Sequence, residues 1–219
     1  MQYDVSALLK YLPYFLPAAW MTFKVTFLGI ALGMGLGLGT AFMRISANRL
    51  LNYPAQAYIY LIRGTPLLLQ LLFIYYGLRS ITGLEALTSA VLALGIHNGA
   101  YIAEVFRGAI LSINPGQMEA ARSLGMTYRR AMLRIVLPQA LKRALPPLGN
   151  QFIIALKDSS LASAITINEL LLKSQQLASS NFLMMEMLTV AACFYLLYTG
   201  IFTWMFHRLE VRLNVSART

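Results

Sequence analysis

The chain has 219 residues, of which 58% are hydrophobic and only 12% are charged. Soluble domains carry about 25% charged residues, so a water-soluble globule is excluded and a polytopic, all-α integral membrane protein is expected. The formal charge of +10 does not point to nucleic acid, because the basic residues stand beside apolar runs rather than on one face or in an arginine-rich arm. The single cysteine, Cys193, lies in an apolar run and leaves no room for an intrachain disulfide or a cysteine metal cluster.

The chain opens with Asp4 ahead of Lys10 and then enters an apolar run far longer than a signal-peptide core, without a convincing cleavage site, so the first span is expected to stay in the mature protein. That span, residues 12–43, exceeds the roughly 20 residues needed to cross a bilayer. In it Gly29, Gly33 and Gly37 recur every fourth residue, as do Gly35 and Gly39, offering low faces to a packing helix. The alternating glycines are not a phosphate loop, since no Gly-Lys pair occurs anywhere; ATP, if used, is bound by another subunit.

The second span, 54–78, is interrupted by Arg63-Gly64-Thr65-Pro66, with Gln70 one turn later. Proline removes a backbone donor and glycine loosens the helix, and such irregular backbone at membrane depth belongs against protein or a wet cavity. The third span, 84–111, carries His97, Asn98, Tyr101, Glu104 and Arg107. Three-residue steps bring Asn98, Tyr101 and Glu104 close on one helix surface, expected to face the bundle interior. A charge within a span costs about 2.5–3.5 kcal/mol at the centre on insertion scales, so Glu104 either serves function, or forms a satisfied internal pair with Arg107, or stands with Arg107 at the cytoplasmic end of the span. His97 is expected to be a hydrogen-bonded interior residue rather than a metal ligand, because His207, the other histidine, stands at the far end of the last span.

Residues 114–138 form a polar loop read as two short helices. Asn114 caps the first, Gly125 ends it in a left-handed turn, and Ala120 and Ala121 keep its surface low for a partner. The second phrase, from Thr127, sets Arg129, Arg130 and Arg134 on one side and Met132, Leu133, Val136 and Leu137 on another. The fourth span, 140–156, contains Pro146-Pro147 and ends at Lys157-Asp158-Ser159-Ser160. Residues 161–177, with Asn168 and Glu169, are too polar for a span and are expected to form a short helix near the outer surface. The fifth span is 184–206, followed by a tail with Arg208, Arg212 and Arg218. Twelve of the eighteen basic residues fall on the side of the polar loop and the C-terminus, which makes that side cytoplasmic and the N-terminus external.

The loop spells EAARSLGMTYRRAMLRIVLP from Glu119 to Pro138, and it resembles the signature loop of bacterial ABC-importer permeases at Glu119, Ala120, Ala121, Gly125, Ile135, Leu137 and Pro138. RGTPLLLQLLFIYYGL (63–78), NGAYIAEVFRGAILSI (98–113) and KDSSLAS (157–163) are similar to segments of the permeases for polar amino acids, so the likeness covers nearly the whole chain. Where that family usually has threonine, Ser159 keeps the hydroxyl. The resemblance implies one transmembrane domain over residues 1–219, with five helices in the type I ABC importer permease fold and a cytoplasmic coupling helix. It implies as partners two ABC ATPases that carry the ATP and Mg, a second permease copy or a related chain, and an extracytoplasmic amino-acid-binding protein. The location implied is a bacterial inner membrane.

A free amino acid taken out of water needs partners for its carboxylate, its ammonium group and its side chain. Backbone amides at Gly64 and Thr65 suit the carboxylate, and Asp158 suits the ammonium group. Gln70, Asn98, Tyr101 and Glu104 are candidates for the side-chain end. Lys157 orients or neutralises Asp158, beside Ser159. The competing reading is an ion-coupled secondary transporter in which Glu104 or Asp158 titrates; inverted repeats would favour it, and none is visible. A passive scaffold does not explain charges inside spans. An enzyme is not expected, since Ser159 and Ser160 lack a base and no metal constellation is present.

Overall fold

The computed structural model describes residues 5–213, which are helical nearly throughout, with no strand among them. Asp4 and Arg218 lie outside the described residues. The first helix, α1 (Val5–Ile45), is 41 residues long. Its principal neighbour is α5 (Ala86–Leu111), and glycine on both helices is the reason they approach so closely. A Cβ at Gly33 would lie 3.2 Å from Gly95 O and Gly99 N, one at Gly37 would lie 2.6 Å from Ile102 Cγ2, and one at Gly95 would lie 2.5 Å from Leu32 Cδ2. Gly35 and Gly39 meet nothing within 4 Å, so only one of the two glycine stripes is used in the fold. Gly37→Leu is accordingly expected to lower the melting temperature of the detergent-purified protein by several degrees, whereas Gly35→Leu leaves it nearly unchanged.

The expected second span is divided. α2 (Arg49–Arg63) and the continuation from α3 (Leu67–Leu72) through a π-helical turn (Phe73–Gly77) are bent by 104°, and α4 (Leu78–Thr82) follows. Gly64 N donates to Tyr60 O at 2.9 Å, and a Cβ at Gly64 would stand 2.9 Å from that same oxygen. Pro66 then adopts extended backbone and cannot donate, so the helix has to stop.

The polar loop comprises α6 (Pro115–Ser123) and α7 (Tyr128–Ala131), the latter running through a second π-helical turn (Met132–Val136) into α8 (Leu137–Asp158). The loop, residues 114–138, is thus a two-armed bracket whose second arm, from Tyr128 onward, is one continuous rod with the fourth span. Among the described residues three helices are long and apolar enough to cross a membrane, and a fourth crossing follows if the bent pair counts as one. The remaining helix, α8, carries Lys142, Arg143, Lys157 and Asp158 with Pro146 and Pro147 inside it, and it packs along α5.

A 3-10 segment (Ser159–Ile165), a left-handed Thr166, α9 (Leu170–Asn181) and α10 (Met184–Arg212) complete the chain. Glu169, read from sequence as part of a polar surface helix, is fully buried. Its carboxylate caps α9 by accepting from Leu171 N and Leu172 N, both at 2.8 Å, and from Tyr195 Oη at 2.9 Å. Three donors replace the water it lost. Leu170 N donates to Thr22 Oγ1 at 3.2 Å, so this knot ties α9 to both α1 and α10.

Candidate functional site

Two regions concentrate the polar groups that packing alone does not require. The first is a cleft of about 480 Å³ at the α2–α3 elbow, lined by Arg44, Gln56, Ile59, Tyr60, Arg63, Gly64, Tyr101 and Glu104. The Arg63 guanidinium sits 5.1 Å over the Tyr101 ring. Glu104 is paired with Arg107, one turn along α5, through Nε at 3.0 and 3.1 Å and Nη2 at 2.7 Å. The cleft thus combines cations, one carboxylate and an aromatic face, a set that fits a small zwitterion.

Gly64, Tyr101 and Glu104 are brought together in this cleft, but the other residues singled out from sequence are distributed differently. The Gln70 side-chain amide donates to Ile62 O at 2.8 Å, to Thr65 O at 3.1 Å and to Thr65 Oγ1 at 2.8 Å. Thr65 Oγ1 donates to Leu61 O at 2.9 Å. Asn98 is fully buried and engaged at both ends, Nδ2 donating to Leu94 O and Oδ1 accepting from Gln151 Nε2, each at 2.8 Å. The stripe splits because each three-residue step falls about 60° short of a full turn, so Asn98 faces α8 while Tyr101 and Glu104 face α2. Lys157 is exposed and opens on a separate, mostly apolar cavity with Ser160, Ala192, Tyr195, Leu196 and Thr199. Ser159 is buried and donates to Leu156 O at 2.7 Å.

Asp158 ends α8, half-buried. Helices α5 and α8 run antiparallel, since Arg143 donates to Ser112 near one end and Gln151 to Asn98 further along. At 1.5 Å per residue, seven residues beyond Gln151 on one helix and six beyond Asn98 in the opposite sense separate Asp158 from Glu104 by about 20 Å along the bundle. One free amino acid cannot bridge that distance.

Sequence reading passed over the cleft's α2 wall. Gln56, Ile59, Tyr60 and Arg63 follow the spacing i, i+3, i+4, i+7 of one helix face, a signal obscured by treating 54–78 as a single span.

The second region is the bracket. Asn114 Oδ1 accepts from Gly116 N at 2.8 Å and starts α6. Gly125, at φ +82°, ends it with a pair of bonds, Met126 N to Ala121 O at 3.1 Å and Gly125 N to Arg122 O at 3.0 Å, the two-bond glycine cap of a helix C-terminus. Glu119 and Ala120 are exposed, as is Leu124 at 84%. Ala121 is buried, so of the two alanines expected to face a partner only Ala120 lies at the surface. Met132 and Val136 pack into the core with Ile102, Phe106, Ile110 and Ile113 of α5 and its end; Ile135 and Leu137 are half-buried and Pro138 is exposed. Leu133, expected on the apolar side, is exposed, because the π-helical turn contains more residues per turn and shifts the phase.

Comparison with known proteins agrees with this architecture. Residues 11–215 match the family described as binding-protein-dependent transport system inner membrane component. The chain belongs to this family. The permease is 39% identical to the glutamine transport system permease protein GlnP of Escherichia coli (strain K12), over 98% of this chain and 100% of that protein. It is 38% identical to the L-cystine transport system permease protein TcyB of Bacillus subtilis (strain 168), over 80% and 76%. A solved chain from an amino acid ABC transporter crystallised with histidines superposes with a TM-score of 0.90 at 41% identity, covering 97% of this permease and 100% of that chain. An inward-facing MetNI methionine ABC transporter shares the fold, with a TM-score of 0.79 at 20% identity over 91% of this chain and 95% of that one. The permease has the type I ABC importer fold.

Proposed function

We propose that this permease is the membrane-spanning subunit of an ATP-driven importer of a polar amino acid. The observation that carries the reading is the full-length likeness to a chain of an amino acid ABC transporter, 41% identical at a TM-score of 0.90. The external binding protein hands over the substrate; two ATPases, holding ATP and Mg, dock on the bracket of this permease and of its second copy or related partner. The N-terminus is external and the C-terminus cytoplasmic.

Glu119, Ala120 and the exposed Leu124 form the surface an ATPase grips. Because α7, the π-helical turn and α8 are continuous, and Met132 and Val136 are seated against α5, a displacement of α6 reaches α5 and α8, which carry Tyr101, Glu104 and Asp158. ATP drives alternating access by binding one arrangement more tightly than the other. In the cleft, Gly64 N is already engaged by Tyr60 O, so Arg44 and Arg63 take the substrate carboxylate, with Tyr101 and Glu104 on the opposite wall. Asp158 receives the ammonium group at the other level, and the two carboxylates act on the substrate in turn.

The test is uptake of a panel of radiolabelled polar amino acids, glutamine first, into liposomes holding the permease with its ATPase and binding protein. Uptake that stops with vanadate and survives collapse of the proton gradient supports the reading. The opposite pattern identifies an ion-coupled carrier and overturns it.

A further inference from the structure

We infer that His97 is a positioning residue for transport: with Gln70 it clasps the α2–α3 elbow to α5, so that a displacement of the bracket is delivered to the cleft. The inference rests on the importer reading above and adds a residue that reading does not use.

The reason lies in the backbone at the break. In an uninterrupted helix the carbonyl of Ile62 would accept from the N–H of residue 66, but residue 66 is proline and has none. The Gln70 amide takes the place of that donor, at 2.8 Å from Ile62 O, and holds Thr65 O and Thr65 Oγ1 as well. With Nε2 so engaged, the only group Gln70 has left is Oε1, which accepts only. His97 Nδ1 lies 3.1 Å from it, so Nδ1 carries the proton and donates. The ring is 9% exposed and its centroid stands 5.0 Å from that of Tyr101, a residue of the cleft wall.

α5 therefore holds both arms of the elbow. The α3 arm is attached through His97 and Gln70, and the α2 arm through Tyr58 Oη, which donates to Ile96 O at 2.6 Å. Beyond His97 the same helix continues to Leu111 and seats Phe106, Ile110 and Ile113 against Met132 and Val136 of the bracket. Grip, rod and clasp are in series. A residue at position 97 without a donor leaves Gln70 Oε1 unmatched in a half-buried setting, and the α3 arm is then held to α5 only by the apolar packing of Leu71, Ile74 and Tyr75 against Ala90, Ala93 and Leu94.

The experiment compares the wild type with His97→Phe, His97→Asn, Gln70→Leu and the His97→Phe/Gln70→Leu double variant, each reconstituted with ATPase and binding protein. Phenylalanine keeps a ring and removes the donor; asparagine places an amide donor where Nδ1 was. We expect His97→Phe and Gln70→Leu each to lower the kcat of uptake about tenfold, the scale of one lost hydrogen bond, with KM within about twofold and basal ATP hydrolysis unchanged. The double variant is no worse than either single one, because both remove the same link, and His97→Asn stays within about threefold of wild type. Wild-type kcat in His97→Phe, multiplied losses in the double variant, or a change confined to KM would overturn the clasp.

A second measurement is independent of transport. Spin labels at the exposed Leu50 and Phe73, in a Cys193→Ser background, report the separation of the two arms in the purified permease. The distance distribution broadens in His97→Phe and is restored in His97→Asn; identical distributions in all three overturn the clasp. Should wild-type uptake show no ATP dependence, the importer reading falls and the label distances alone decide the clasp.

Discussion

Replacing Gly125 with valine is expected to leave the permease in the membrane and to uncouple ATP hydrolysis from uptake. At φ +82° a β-branched residue carries a backbone penalty on the order of 1–2 kcal/mol. A Cβ at this position meets nothing within 4 Å, so the effect is conformational rather than a clash, and the protein relieves it by giving up the turn. The bonds from Met126 N to Ala121 O and from Gly125 N to Arg122 O go with it. α6 then no longer holds a defined angle to the π-helical turn below, and an ATPase can bind Glu119, Ala120 and Leu124 without moving α5. The measured quantity is amino acid taken up per ATP hydrolysed, expected to fall tenfold or more in Gly125→Val and to remain near wild type in Gly125→Asn, since asparagine tolerates the left-handed region. An unchanged ratio in Gly125→Val would show that the turn does not transmit force.

Glu104→Ala has the second large effect, and the pair to which Glu104 belongs makes its interpretation decidable. Removing the carboxylate strands Arg107 beside a cleft that already contains Arg44 and Arg63. Loss of one partner of a half-buried charge pair leaves the other charge unmatched and is destabilising. Uptake should fall at least tenfold. If Glu104 serves only to satisfy Arg107, the double variant Glu104→Ala/Arg107→Ala recovers both assembly and uptake. If it also meets substrate, the double variant recovers assembly alone. Radiolabelled uptake alongside size-exclusion of the assembled complex separates the two outcomes.

Much of the fold was legible because the dominant signals are local. Long apolar runs, the glycine at 125 and the asparagine at 114 each act within a turn of where they stand, and each appears where expected. What the sequence concealed is angle and phase. Gly64 and Pro66 announce a break, but the 104° bend depends on how α5 receives the two arms through Tyr58 and His97. The π-helical turns at 73–77 and 132–136 contain ordinary residues, so no local cue warned that Leu133 would turn outward. Polar residues were the hardest to place, because a side chain that binds a ligand and one that repairs its own backbone have the same composition. Gln70 and Asn98 looked like ligand contacts and are engaged within the protein, while Glu169, expected only to lie in a short helix near the outer surface, is buried under three donors. The cleft emerged only once α2 was seen as a separate helix with its own polar face.

The close approach of α1 to α5 through Gly29, Gly33, Gly37, Gly95 and Gly99 has a mechanical consequence. Backbone meets backbone at Gly33 and Gly37, and the other glycines each seat a side chain against the opposite helix, so little compliant material separates the two and the pair is expected to tilt together as one beam. With 41 residues in α1, a tilt of about one degree sweeps the beam's distant tip through about 1 Å, at 1.5 Å of rise per residue. A displacement at the bracket end too small to unseat any packing would thereby become a larger excursion at the far end of the pair.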